Sequence, residues 1–373
     1  MTEPVSAAEP SSPNPGVAPG APAPVAPAPA PTERGWGKLF LAFAAFLLLP
    51  KIPQIQAILP IEQTMLLFVP ALAACALVGW WAGGRAFLAI AWVAIAVLMV
   101  RPSGPPDPFF NLARGWSLLL AGSFGLVSLF SPRRPAFPRS LLALGVTLSF
   151  ALVMSLLGPV TMSQASKTVA QEFGRRNREF VTSVDSVIKA HPQEWQDLVT
   201  KMPALKESTS QASAMLASIS EGGVVVFPAM LALESLAALA LAWATYHRFS
   251  RARIGAPLGP LRDFRFNDQL VWGLIVGLTI MLLPTLTALS GVGKNLLVFF
   301  GALYALRGLG VLSWFMRPRS LGVTLGVGLV MLATPVVNSV VALGFVMLGV
   351  AALALGLGDT WADWRSRARP TSS

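Results

Sequence analysis

Residues 223–246 read GVVVFPAMLALESLAALALAWATY, with Glu234 as the single charge. As a helix at ~1.5 Å per residue the stretch reaches about 36 Å. That crosses the roughly 30 Å hydrocarbon layer of a bilayer. It is apolar on all faces, as a buried or membrane-crossing helix is. It closes on the basic turn Tyr246-His247-Arg248-Phe249-Ser250-Arg251.

Nine further apolar runs flank it: Trp36–Leu59, Thr64–Ala82, Ala86–Val100, Leu112–Phe130, Arg139–Pro159, Gln269–Leu289, Asn295–Met316, Leu321–Thr334 and Val337–Gly358. The last two can be one hairpin bent at Thr334-Pro335. Of the 373 residues, 54% are hydrophobic and 12% charged. Soluble domains carry roughly 25% charged residues, so these charges are too few to cover a soluble surface. The runs are continuous rather than alternating, which selects helices over a barrel. The sequence predicts an all-α, polytopic transmembrane bundle of nine to ten spans.

The basic residues are sorted along the chain. Arg85, Arg133, Arg134, Arg139, Arg248, Arg251, Arg317, Arg319, Arg365 and Arg367 fall in alternate connections, and the intervening short loops carry little beyond Arg101 and Lys294. The positive-inside rule then places both termini in the cytoplasm, in a bacterial inner membrane. The net charge of +11 reads as topology and contact with anionic lipid. No nucleic-acid signature accompanies it. Nine tryptophans, Trp116 and Trp243 among them, fall at expected span ends, as an aromatic belt requires.

The chain divides into a Pro/Ala-rich tail (1–34), an amino-terminal membrane half (35–160), an extracytoplasmic helical insertion (161–222), a carboxyl-terminal membrane half (223–367) and a short tail (368–373). Proline in the first segment blocks helix and sheet, so a disordered, partly polyproline-II tether is expected. In the insertion, Ala165, Val169, Phe173, Phe180, Val184 and Val187 follow a helical repeat, with Glu172, Arg175, Arg176 and Glu179 assigned to other faces. A later stretch, Ser208–Ser220, is placed to run into the next span.

Charges inside spans are expensive and therefore informative. Glu234 lies about 17 Å into its span and Arg307 about 18 Å into its own, at 1.5 Å per residue. Similar depth suggests an ion pair, read either as a structural clamp or as part of a solute or ion pathway. The first span is broken by Pro50-Lys51-Ile52-Pro53. Broken helices line cavities in transporters, so Lys51, Gln54, Gln56, Glu62 and Gln63 are candidates for an outer cavity mouth. A Pro-kinked helix with a snorkelling Lys51 is the alternative.

Other motifs dissolve on inspection. Gly356-Leu357-Gly358-Asp359 has the GxGD form of an intramembrane aspartyl protease, yet no second membrane-embedded aspartate appears in the assigned spans. Gly291-Val292-Gly293-Lys294-Asn295 resembles a P-loop ending, without its first glycine or its final Ser/Thr. His191 and His247 lie far apart, which leaves no metal or Ser-His set. Cys75 reads as a small packing residue. Gly79/Gly83, Gly273/Gly277 and Gly322/Gly326 have the spacing of close helix contacts. No cofactor, metal or enzymatic activity is expected.

The order of features in the carboxyl half is more distinctive. Glu234 and its basic turn precede Phe264-Arg265-Phe266-Asn267-Asp268. Gly293-Lys294-Asn295-Leu296-Leu297, the run Tyr304–Val311, and Gly358-Asp359-Thr360-Trp361-Ala362-Asp363-Trp364-Arg365 follow. This order resembles the YybS-like family of predicted bacterial membrane proteins, a family of unknown function. The family is distantly similar to the substrate-binding subunits of energy-coupling-factor vitamin transporters. The resemblance implies a small solute bound or moved through the bundle, with a membrane or cytoplasmic partner subunit. The competing expectation is a non-catalytic interaction or scaffold protein of envelope growth or division.

Overall fold

The computed structural model describes residues 36–51, 59–102, 107–158, 160–190, 192–201, 204–250, 253–315 and 338–364. Among them the regular structure is helical. The α-helices are α1 (Trp36–Leu48), α2 (Met65–Trp81), α3 (Ala86–Val100), α4 (Pro108–Phe130), α5 (Ala136–Leu157) and α6 (Met162–Ala190). They continue as α7 (Pro192–Lys201), α8 (Ala204–Phe249), α9 (Val271–Leu282), α10 (Ser290–Phe315) and α11 (Asn338–Ala362). The Leu321–Thr334 run and the Pro/Ala tail lie outside the described residues.

Local chemistry sets the ends. Asp107 caps α4, accepting from the Phe109 and Phe110 N–H groups at 2.9 and 3.3 Å, and Pro108 occupies the first turn, where no N–H is needed. Gly83 adopts φ +92° after α2, a conformation side chains resist, and turns the chain into α3. Pro284 follows the end of α9 and opens a 3-10 turn, Pro284–Leu289, before α10. The stretch Ser208–Ser220 does run into the following span: both lie in one 46-residue helix, α8, so the expected boundary at residue 222 falls inside it.

Among the described residues, four helices are long and apolar enough to cross a membrane: Pro108–Phe130, Ala136–Leu157, Gly222–Phe249 and Pro284–Phe315. Shorter apolar helical stretches among the described residues are Trp36–Leu48, Met65–Trp81, Ala86–Val100, Asp268–Leu282 and Val346–Ala362. Prolines account for part of the difference from nine to ten full spans, because Pro50 and Pro284 truncate helices that the apolar pattern continues.

The core forms around α2 and α8, which pack on each other; α2 also meets α3 and α4, and α8 also meets α5, α6 and α10. Leu67, Leu72, Leu120, Phe124, Leu239 and Trp243 are fully or almost fully buried. On the outward faces of α3 and α5, Ile90, Leu98, Leu156 and Leu157 are widely exposed, a surface suited to lipid rather than water. α10 packs on α9, α8 and, most extensively, α11.

Two of the expected belt tryptophans are core residues instead. Trp243 donates to the Ala256 carbonyl at 3.0 Å and is 2% exposed. Trp116 donates to Ser235 Oγ at 2.9 Å. Arg139, expected as a loop charge, is buried against Trp243, its guanidinium carbon 4.5 Å from the ring. Its Nη2 donates to the Pro132 and Arg134 carbonyls. Gly255, at φ +70°, lets the backbone approach that guanidinium.

Candidate functional site

The insertion meets the bundle through one face of α6. Val169, Glu172, Phe173 and Arg176 fall at i, i+3, i+4 and i+7, and all four are buried. This corrects the assignment of Glu172 and Arg176 to outer faces; Arg175 and Glu179 are the exposed pair. Phe173 packs edge-on against Phe227 of α8, which also meets Phe109 of α4.

Arg176 is the centre of this contact. Its Nε lies 2.9 Å from both Glu172 Oε1 and Glu62 Oε1. Its Nη1 donates to the Leu59 carbonyl at 2.7 Å and Nη2 to the Pro60 carbonyl at 3.4 Å. The guanidinium also lies 5.2 Å from the Phe109 ring centre and 5.5 Å from that of Phe173. An arginine of the insertion thus holds the segment that enters α2. Buried carboxylates beside arginine titrate low. Burial by itself raises the Glu172 carboxyl, but hydrogen bonds from Arg175 and Arg176, with their charge, hold it below its ordinary value.

The pH dependence follows. A carboxyl depressed in the folded state contributes stability that is complete above its unfolded pKa, about 4.3, and lost as pH falls through the folded value. Limited proteolysis of the insertion should accelerate below about pH 4. Glu172→Gln should raise cleavage already at pH 7 and flatten that acid dependence; an unchanged profile in the variant contradicts the latch.

Glu234 sits beneath the same segment. Its Oε2 accepts from the Ile61 N–H at 3.1 Å. Its Oε1 is buried and has no hydrogen-bond partner. The side chain is 7% exposed. Thr64 Oγ1 donates to the Phe46 carbonyl at 3.1 Å and fixes the far end of the segment to α1.

Of the expected mouth residues, the structure brings Glu62 to Arg176. Gln63 is exposed and turns its carbonyl to the Leu66 N–H. Lys51 ends the 3-10 turn Leu49–Lys51, and its side chain is not described. Gln54 and Gln56 lie outside the described residues.

Glu234 and Arg307 are not brought together. Arg307 Nε donates to Asp359 Oδ2 at 3.0 Å, and its Nη1 to Asp268 Oδ1 at 2.5 Å. Counting residues from a span's start gives depth but not the direction in which a side chain points. Arg307 faces α11 and the entry to α9, whereas Glu234 faces the entry to α2. Asp268 and Asp359 fall one residue outside the apolar runs Gln269–Leu289 and Val337–Gly358, so a search for charges inside the runs passes both over.

A second device lies two turns from Glu234 along α8. Pro228 lies inside the helix and has no N–H to donate to its ladder. Asn295 of α10 inserts its amide there: Oδ1 accepts from the Ala229 N–H at 2.8 Å, and Nδ2 donates to the Val225 carbonyl at 2.7 Å. One side chain thereby bonds both the Ala229 N–H and the Val225 carbonyl, the donor and acceptor of one i to i−4 pair beside the proline. Asn295→Leu leaves both backbone groups unbonded. Unfolding measurements should register a loss of about 1–3 kcal/mol, and no loss would show the bridge to be idle.

Among the described residues, no group of three or more His, Cys, Asp or Glu side chains is arranged to hold a metal ion. A family model described as "Predicted membrane protein (DUF2232)" matches residues 55–351. The YybS-like resemblance is consistent with that family. Neither the curated proteins nor the solved structures contain a match.

Proposed function

The chain belongs to this family of predicted membrane proteins, and from that premise we propose that it is a non-enzymatic solute-binding protein. It would lie in the bacterial cytoplasmic membrane with both termini inside and serve a partner subunit. One observation carries the reading: the buried Glu234 carboxylate has one oxygen on the Ile61 N–H and the other without a partner. Buried polar groups are nearly always satisfied, so an orphaned carboxylate oxygen marks a place for a further donor. The segment above it is held by Arg176 of the insertion, which makes α6 the lid of the solute site.

Native mass spectrometry of the purified full chain tests this. The wild-type protein should carry a small molecule that Glu234→Gln reduces at least tenfold, because glutamine keeps an acceptor for Ile61 but puts an amide nitrogen where the unpartnered carboxyl oxygen stands. Equal occupancy in both proteins, or a wild-type protein free of small molecules, overturns the reading. A co-purifying protein with no small molecule would instead favour the scaffold role.

A further inference from the structure

The junction over Glu234 is already a receptor for a guanidinium, and the one it holds is Arg176 of α6. The carbonyls of Leu59 and Pro60 accept from its Nη1 and Nη2. Its Nε–H donates to Glu172 Oε1, and Glu62 Oε1 stands 2.9 Å from the same nitrogen. The rings of Phe109 and Phe173 lie 5.2 and 5.5 Å from the guanidinium carbon. Acceptors for the N–H groups and rings for the face are what recognition of a guanidinium needs.

Most of these groups do not belong to α6. Leu59, Pro60 and Glu62 lie in the non-helical stretch before α2, and Phe109 lies in the first turn of α4. Non-helical backbone at membrane depth leaves carbonyls that need donors. Of the groups around the guanidinium, Glu172 and Phe173 are the ones that come with α6. Lifting α6 from the bundle would remove the guanidinium and leave its other acceptors behind.

The junction also carries carboxylate oxygens that Arg176 does not satisfy. Glu172 is shared with Arg175, which donates to both of its oxygens. Glu62 Oε1 and Glu234 Oε1 are buried and accept no hydrogen bond. The charge of Arg176 reaches Glu234, yet Glu234 bonds to the Ile61 N–H and not to the guanidinium. On α8, Phe227, Leu231 and Glu234 fall at i, i+4 and i+7, on one strip of the helix. Phe227 meets the Phe109 ring, so aromatic surface begins beside Arg176 on the same side of α8 as Glu234.

We propose that the solute bound at the Glu234 site is a small organic cation carrying a guanidinium, and that Arg176 holds its place while α6 is closed. This names the ligand class of the solute reading and rests on it. The closed structure needs no open cavity, since the room for the ligand's guanidinium is the room that Arg176 fills. Free of the α6 backbone, a ligand can settle deeper than Arg176 does. It then takes the Leu59 and Pro60 carbonyls together with the open oxygens of Glu62 and Glu234, under the Phe109 ring. Arg176 competes from within the same chain, so the solute enters when α6 lifts.

Calorimetric titration of the purified full chain with methylguanidinium tests this, with methylurea as the uncharged isostere. Arg176→Ala vacates the place and should bind methylguanidinium at least tenfold more tightly than wild type. Methylurea should not bind measurably to either protein. Adding Glu234→Gln to Arg176→Ala should weaken methylguanidinium at least fivefold, an effect that refilling the socket of a purely structural arginine would not show. Arg176→Gln, which keeps an amide donor for the carbonyls, repeats the comparison where the alanine variant fails to fold. Equal affinity in wild type and the Arg176 variant overturns the proposal, as does equal binding of methylurea. An unchanged affinity when Glu234→Gln is added overturns it too. A wild-type protein that carries a neutral or anionic molecule, seen by native mass spectrometry, keeps the solute reading and overturns the guanidinium ligand.

Discussion

Arg307→Ala should destabilise the protein by about 3–5 kcal/mol, the usual consequence of removing one partner from a buried ion pair. Arg307 is 3% exposed at its side chain and Asp359 is 0% exposed. Without the guanidinium, the Asp359 carboxylate loses the Nε bond at 3.0 Å, and its backbone carbonyl loses the Nη2 bond at 3.4 Å. Asp268 contributes differently, since its side chain is 58% exposed. An ion pair with so exposed a partner is worth at most about 1 kcal/mol, so Asp268→Asn should be mild. Replacing both buried charges with apolar residues, Arg307→Met with Asp359→Leu, should recover most of the loss, because neither ion is then desolvated. Equilibrium unfolding in mixed detergent micelles compares these three variants with wild type. Arg307→Ala as stable as wild type, or the double variant as poor as Arg307→Ala, contradicts this account.

The second large effect belongs to Gly356. On α10 and α11, Gly308 and Gly356 lie back to back. A Cβ on Gly308 would run into the Ala352 carbonyl, and one on Gly356 into the Tyr304 carbonyl. Tyr304 and Gly308 are four apart, as are Ala352 and Gly356, so each glycine receives the backbone carbonyl that lies one turn before the glycine of the facing helix. In a bilayer, helices gain little from hydrophobic association, and such close packing is a main source of their cohesion. Gly356→Leu must force the helices apart and should draw Asp359, three residues on, away from Arg307. The loss should exceed about 4 kcal/mol, seen as poor accumulation in the membrane and rapid proteolysis. Gly356→Ala should show a weaker form of the same defect. Gly349 lies on the same helix with open space around it, so Gly349→Ala should be harmless. Equal behaviour of the two alanine variants would refute the crossing.

These two junctions also show how legibility varied. GxxxG spacing singled out Gly79 and Gly83, yet Gly79 accommodates the Tyr246 ring and Gly83 makes a turn. Gly273 accommodates the Phe300 ring, and Gly322 and Gly326 lie outside the described residues. The tightest helix crossing among the described residues, Gly308 on Gly356, joins residues far apart in sequence. Spacing along one helix carries no information about the other.

Around Glu234, the sequence marked the acid as unusual because a charge in a long apolar run is costly. It also marked the broken segment after Pro50, because proline ends helices whatever surrounds them. Arg176 could have been found from its i+7 spacing to Val169, but a charge on an apolar face is ordinarily read as a boundary. Asn295 had no signal, since its role depends on a proline 67 residues earlier.

The all-helical, membrane-embedded character of the chain was determined by sequence alone. Apolar run length and backbone hydrogen bonding are local quantities, and solvent imposes them residue by residue. Tertiary structure decided the pairing of the scarce charges: Arg307 with Asp359 and Asp268, Arg176 with Glu62 and Glu172, and Glu234 with a backbone N–H. A charge's depth follows from position in the chain, but its partner follows from helix rotation, and rotation is set by which neighbours pack.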